Sequence, residues 1–250
     1  SPDGGIYVYN DGAPAVMNMT IRRNYVHQTV NNDGIKVGGK NGVDDGVSGA
    51  QVVGNVTEDT AQDGITVYMN NVTLKGNDVS GSSSVNGAIY IGETVSNITI
   101  TNNNVHDNAA TGIQVGRSGH AVSNCVVNYN IISGNTAGVG YYYPGGSAYL
   151  DATLNWWGDA SGPSGGAVDP ITSVVASGTG DSVAANVHFS PWLGSAPPVP
   201  GQDVVWVDDD WAGSAPNQEV EPGKFFGFNA FADMASVSYT PLTLPTIYSV

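Results

Sequence analysis

The chain of 250 residues is short of cysteine, leucine, charge and basic side chains, and each shortage excludes something. One cysteine, Cys125, permits no internal disulfide. Its apolar neighbours, and the lack of a histidine close by in sequence, suit a small core side chain better than a catalytic thiol. Charged residues make up only 12% of the chain, about half the usual ~25%, which excludes long solvated helices of Glu, Lys and Arg. Seven basic residues against 22 acidic ones leave a formal charge of −15 and a pI near 4.1. No basic stripe exists to neutralise phosphates, so nucleic acid and anionic lipid are not expected partners. No stretch approaches the ~18 uninterrupted apolar residues of a membrane helix, so membrane insertion is not expected. The chain opens at Ser1 without a charged and apolar leader.

What is present is glycine and β-forming side chains. Gly accounts for 34 residues and 40% of the chain is hydrophobic, enough apolar surface to bury a core. Val, Ile, Thr and Tyr recur between turn residues, which predicts an all-β chain rich in turns.

Two short words repeat. The first is Gly-Ile-x-Val, at Gly5-Ile6-Tyr7-Val8, Gly34-Ile35-Lys36-Val37, Gly64-Ile65-Thr66-Val67 and Gly112-Ile113-Gln114-Val115, with looser copies at Gly87 and Gly138. The starts at 5, 34, 64, 87, 112 and 138 are spaced by 29, 30, 23, 25 and 26 residues. The second word places Asn three residues after an apolar strand residue: NMTIRRNYV from Asn18, NVTLKGNDV from Asn71, NITITNNNV from Asn97, NCVVNYNII from Asn124, and a degenerate copy from Gly49. Apolar residues alternate at period 2 within each word, so each is a short strand with one buried face. Six Leu cannot furnish a leucine-rich repeat, and a parallel β-helix of about six coils between Gly5 and Pro163 remains. Stacked coils would place Asn24, Asn55, Asn77, Asn103 and Asn130 in one ladder, each amide bonding to the next and each Asn taking the left-handed turn conformation. The Asn-x-Thr triplets at Asn18, Asn55, Asn71 and Asn97 match a glycosylation rule, but the repeat explains them better.

This pattern resembles the right-handed parallel β-helix repeat family, the pectate-lyase-like architecture, over roughly Gly4 to Pro163. The resemblance implies an asparagine ladder between the second and third strands, and a substrate groove on the outer face of the first. It implies no single function, because the architecture hosts lyases, hydrolases, epimerases, tailspikes and adhesins.

Four segments are expected. Residues 1–195 form the β-helix, closed by an aromatic segment around Asn155-Trp156-Trp157-Gly158 and Ser190-Pro191-Trp192-Leu193, which also resembles the closure of secreted bacterial β-helix proteins. Residues 196–202 are a Pro-rich linker, and 203–234, with Phe225, Phe226, Phe228 and Phe231, resemble the start of a second β-helix unit. Residues 235–250 resemble translated adapter sequence and are expected to add nothing to the fold. The whole reads as an internal piece of a larger secreted or surface protein with further β-helix domains.

Between the buried pair of each Gly-Ile-x-Val strand one side chain points outward, which lines up Tyr7, Lys36, Thr66, Tyr90, Gln114 and Gly140; two residues on come Tyr9, Gly38, Tyr68, Gly116 and Tyr142. Tyr7, Tyr9, Lys36, Tyr68, Tyr90 and Tyr142 are therefore the candidate glycan contacts, flat rings with polar tips; exposed tyrosines also simply suit strands. Asp33 and Asp63 precede that Gly in successive coils. Their stacked carboxylates, with Asn86 a coil on, could take Ca²⁺, or serve as turn residues beside Gly. The Gly38–Gly49 loop holds one imperfect likeness of a Ca²⁺-binding nonapeptide, a motif that works in tandem. Lys36 and Arg117 would be the bases of a lyase, Asp33 and Asp63 the carboxylates of a glycosidase; no complete constellation is present. His27, His106, His120 and His188 lack metal-ligand spacing and read as surface or turn residues. The favoured function is a non-catalytic extracellular module that binds a polysaccharide or cell-surface glycan, or acts as an adhesive or structural unit. The alternative is a polysaccharide lyase or glycoside hydrolase on the same face.

Overall fold

The computed structural model describes residues 5–8, 17–39, 48–142 and 149–197, with short stretches between 204 and 249. Three strands make a coil. The first coil has β1 (Ile6–Val8), β2 (Met17–Arg22) and β3 (Tyr25–His27); the second β4 (Ile35–Val37), β5 (Ser48–Val53) and β6 (Val56–Glu58). The third has β7 (Ile65–Val67), β8 (Asn70–Lys75) and β9 (Asp78–Ser80); the fourth β10 (Ile89–Ile91), β11 (Val95–Thr101) and β12 (Asn104–His106). The fifth has β13 (Thr111–Val115), β14 (Val122–Asn128) and β15 (Ile131–Ser133). Each strand pairs in parallel with its counterpart one coil on, giving three sheets, A, B and C, that begin at β1, β2 and β3. No α-helix occurs among the described residues.

Five coils are complete, where about six were expected. The difference lies in what the repeat word counts. A sixth sheet A strand, β16 (Ala137–Tyr141), does follow, and sheet B continues through β17 (Leu150–Asp151), but sheet C stops at β15. In its place Trp156 makes a single bridge to Ile131.

The closing segment is also more than an aromatic lid. It carries β18 (Pro163–Ser164) paired with β19 (Gly180–Ser182), and β20 (Val187–His188), which adds the last strand to sheet B. Trp157 and Phe189 are fully buried against the core, with Trp192 partly buried beside them. This packing accounts for the paired tryptophans at Trp157.

Period-2 alternation delivers the core. Ile35, Val37, Val52, Ile65, Val67, Leu74, Ile89, Ile91, Ile98, Ile100, Ile113 and Val115 all have no exposure. Cys125 sits in register with Ile98 and packs on this core, and burial pushes its thiol up to about 12, which suits an apolar filler and not a nucleophile.

The asparagine ladder runs one coil longer than expected, from Asn24 through Asn55, Asn77, Asn103 and Asn130 to Asn155. At each step the backbone N–H and the side-chain amide of one Asn both donate to Oδ1 of the next, as with Asn77 to Asn103 at 2.9 Å for both. The remaining amide hydrogen reaches a carbonyl of the earlier coil, Asn103 to Leu74 at 3.0 Å. The ladder asparagines do not themselves turn left-handed, contrary to the sequence reading. The residue before each one does: Arg23, Gly54, Gly76, Asn102, Tyr129 and Leu154 have φ between 54° and 65°. The chain bends there, and the following Asn is free to point inward. Left-handed asparagines occur instead at Asn18, Asn71, Asn97 and Asn124, near the starts of the sheet B strands β2, β8, β11 and β14.

Further on, β21 (Val204–Val207) pairs in parallel with β24 (Ala230–Phe231) and β25 (Thr246–Ser249), and β22 (Glu219–Glu221) pairs with β23 (Lys224–Phe225) in antiparallel fashion. Residues 246–249 of the adapter-like tail thus have strand partners at 204–207. Tyr9, most of the Gly38–Gly49 loop, the linker from residue 198, Phe226 and Phe228 lie outside the described residues.

Candidate functional site

Sheet A places the candidate residues. Its register aligns Tyr7 with Lys36, Lys36 with Thr66, Thr66 with Tyr90, Tyr90 with Gln114 and Gln114 with Gly140. Strand spacing puts successive members ~4.8 Å apart. The line is therefore real, but it is not an open row of rings. Tyr90 is only 4% exposed, while Tyr142 is 42% exposed and Tyr7, Lys36 and Tyr68 are intermediate.

Tyr90 is covered because the next outward position in its coil, two residues on, is Gly92. The rings of Tyr68 and Tyr90 meet edge to face at 6.0 Å and close over that glycine: a methyl group on it would lie 2.3 Å from the Tyr68 ring and 2.6 Å from the Tyr90 ring. Lys36 stacks its ammonium 4.6 Å from the centre of the Tyr68 ring, a cation–π contact. Burial raises the Tyr68 and Tyr90 phenols above their ordinary value. At Tyr68 the neighbouring Tyr90, Asp63, Asp33 and Glu93 add to the rise, so these groups share one field.

Asp33 and Asp63 sit at the head of β4 and β7, 7% and 2% exposed. They stack as expected, with the Asp63 N–H donating to Asp33 Oδ1 at 3.3 Å. Tyr7 donates its hydroxyl to the Asp33 carbonyl at 3.2 Å. Asp63 accepts from Thr66 Oγ1 at 2.8 Å, from Ser84 Oγ, and from the Asn86 amide at 3.5 Å. Burial pushes Asp63 up to about 6, with the Asp33 charge adding to it against the Ser84 and Thr66 hydroxyls. Asp33 is also raised by burial, and Lys36 opposes the rise.

This donor set fits Ca²⁺ poorly. Both Asp63 oxygens already accept hydroxyl protons, Asn86 turns a donor toward them, and no group of three His, Cys, Asp or Glu placed to hold a metal occurs among the described residues. A hard cation wants six or more free oxygens.

A second cluster escaped the sequence reading. Glu93, 4% exposed, pairs with Arg117 through one oxygen and with His120 Nδ1 at 2.8 Å through the other. Arg117 also donates to the Gly92 carbonyl at 2.7 Å, so the clamp bears on the loop that follows the strand of Tyr90. Nothing local marks it, because Glu93 and its partners are 24 and 27 residues apart. Two further histidines pair in the same way: His106 with Asp78 and Asp107 at 3.0 and 2.8 Å, and His188 with Asp169 at 3.0 Å. Hydrogen bonding to Asp78, with Asp107 adding, pushes His106 up to about 9 despite partial burial. They are half-buried hydrogen-bond partners of carboxylates and not plain surface residues.

The segments from sheet A to sheet B differ in length around this site. They span residues 68–69 and 92–94 in the third and fourth coils, but 9–16, 38–47 and 142–149 in the first, second and sixth. The Tyr68–Tyr90 cluster thus lies where connections are shortest.

The raised Asp63 carboxyl makes a checkable contribution to stability. A folded-state value of about 6 against ~3.9 unfolded favours folding fully below pH ~3.9 and loses that contribution as pH rises through about 6. Melting temperature followed from pH 4 to pH 7 should fall in the parent and fall less in Asp63→Asn; parallel curves for the two proteins would refute the shift.

Residues 1–155 match the family described as "Right handed beta helix region". No curated protein and no solved structure matches the chain.

Proposed function

Because the chain belongs to the right-handed β-helix family, a fold that presents a rigid outer sheet, we propose that it is a non-catalytic module that binds glycans on the outer face of sheet A. The observation that carries this reading is the aromatic cluster closed over Gly92, with Lys36 on the Tyr68 ring and the Glu93–Arg117 pair behind it. A rigid ring edged by hydrogen-bonding groups suits the apolar face of a sugar. Tyr68, Tyr7 and Tyr142 supply the accessible surface, and Tyr90 supports Tyr68 from beneath. Lys36 and Arg117 each have an acidic neighbour, Asp33 and Glu93, so among the described residues the face carries no free cationic patch. The ligand is therefore a neutral or weakly charged polysaccharide or cell-surface glycan, since a net charge of −15 repels strongly acidic chains. Such a ligand implies an extracellular or cell-surface setting.

The stacked Asp33 and Asp63 favour one other reading, a glycoside hydrolase. A proton donor near 6 beside a second carboxyl one coil away, ~4.8 Å, approaches the ~5–5.5 Å separation of retaining enzymes. One experiment separates the two. Neutral oligosaccharides titrated into the protein should bind, with affinity reduced roughly tenfold or more in Tyr68→Ala, a typical ring-stacking contribution, while circular dichroism stays unchanged. No new reducing ends should form. Unchanged affinity in Tyr68→Ala removes the proposed face, and reducing ends that vanish in Asp63→Asn establish the hydrolase.

A further inference from the structure

The two ends of the solenoid are chemically unlike. Trp157, Phe189 and the strands of the closing segment seal the C-terminal end. At the other end β1, β2 and β3 are the outermost strands of all three sheets. Ile6, Val8, Met19 and Val26 are there only partly buried, while Ile35, Val37, Ala50 and Thr57, their counterparts one coil on, are at most 3% exposed. A shallow depression lined by Gly5, Ile6, Asn24, Tyr25, Val26 and His27 opens on this end.

The ladder states what that end would bind. At every step Oδ1 of the later Asn accepts two N–H groups from the earlier one. Asn24 donates both of its groups to Asn55 Oδ1, at 3.1 and 2.9 Å, and among the described residues nothing donates to its own Oδ1. The coil-to-coil interface, formed four times within the solenoid, is thus offered once more with its donors missing.

We propose that the N-terminal face is an assembly surface for one further coil of the same repeat, stacked in parallel on β1, β2 and β3. The interface requires parallel strands, apolar side chains above Ile6, Val8 and Met19, and an Asn whose backbone and side-chain N–H reach Asn24 Oδ1. A second copy of this chain meets none of these conditions. Its C-terminal end is sealed, and two N-terminal faces brought together would run antiparallel and set one Asn24 acceptor against another. Open strand edges are also the surfaces that β proteins ordinarily cover, and solenoid stability comes from neighbouring coils.

The test adds a coil the chain already has. A copy of residues 64–87 inserted between Gly4 and Gly5 places a duplicate of Asn77 one coil ahead of Asn24, in an otherwise full-length chain. The melting temperature should rise by roughly 2–8 °C, as 1–2 kcal/mol of added coil interface produces in a chain of this length. The inserted strands should resist hydrogen exchange, and Asn24→Ala should lower the melting temperature more in the extended chain than in the parent. An insert that exchanges freely with no change in melting overturns the proposal. So does a parent chain that sediments as a dimer dispersed by Met19→Lys, which would make the second copy the occupant.

Discussion

Asn103→Ala should lower the unfolding free energy of the solenoid by about 3–5 kcal/mol, one of the largest effects expected of any single substitution in the chain. The side chain has no exposure and all its hydrogen-bonding capacity is used. It accepts the N–H and amide of Asn77, both at 2.9 Å, and donates to Asn130 Oδ1 at 2.9 Å and to the Leu74 and Thr101 carbonyls at 3.0 Å. Alanine leaves two buried donors and at least one buried acceptor without partners, at about 1–3 kcal/mol each. Asn24→Ala should cost less than half as much, because Asn24 is half-buried and only donates along the ladder. Urea unfolding of the two variants measures both. A loss below about 1 kcal/mol at Asn103 would mean that the backbone ladders, and not the amides, hold this turn.

Asp169→Asn should open the C-terminal closure at a loss of about 3 kcal/mol at neutral pH. Asp169 is 1% exposed. One carboxylate oxygen accepts the Ile171 and Thr172 N–H groups at 2.9 Å; the other accepts those of Phe189 and Ser190 at 2.8 and 2.9 Å, and His188 Nδ1 lies 3.0 Å from both. Burial alone would raise this carboxyl, but the Thr172, Ile171 and Ser190 N–H groups and His188 hold it well below the usual carboxylate range. Asparagine has no good orientation there. Whichever way the amide turns, its NH₂ faces two N–H donors, and hydrogen bonds to a charged acceptor contribute about 1.5–3 kcal/mol. The sign with pH follows from the depressed value. The contribution is complete above the unfolded carboxyl's ~3.9 and is lost as pH falls further toward the folded value. Parent and variant should therefore differ at pH 7 and converge in acid. Tryptophan fluorescence reports the opening, since Trp157 would become wet. Equal melting of the two proteins at pH 7 would show that Asp169 does not hold the closure.

Asn103 and Asp169 mark how far the sequence could be read. Asn103 is legible because the coil spacing repeats, so a residue that recurs three places after an apolar strand position must stack on its own kind. Asp169 is not, because its partners lie 2, 3, 19, 20 and 21 residues away in a segment with no period. The same holds for Glu93, whose importance comes from Arg117 and His120 a coil later. Tyr90 shows a subtler limit. Alternation correctly put it on the outer side of its strand, but exposure depends on what lies beside it, and Gly92 lets Tyr68 fold over it.

The sequence by itself determined the all-β class, the parallel solenoid, the inward-facing apolar set and the asparagine stack. Each of these follows from strict local periodicity, which sterics and backbone hydrogen bonding translate directly into strands and coils. The tertiary structure alone decided the number of complete coils, the residue that turns left-handed beside each ladder Asn, the burial of Tyr90 and the carboxylate–histidine pairs. Those depend on side chains brought together from neighbouring coils, where each residue's surroundings come from positions some 20 to 30 residues away and no local pattern carries them.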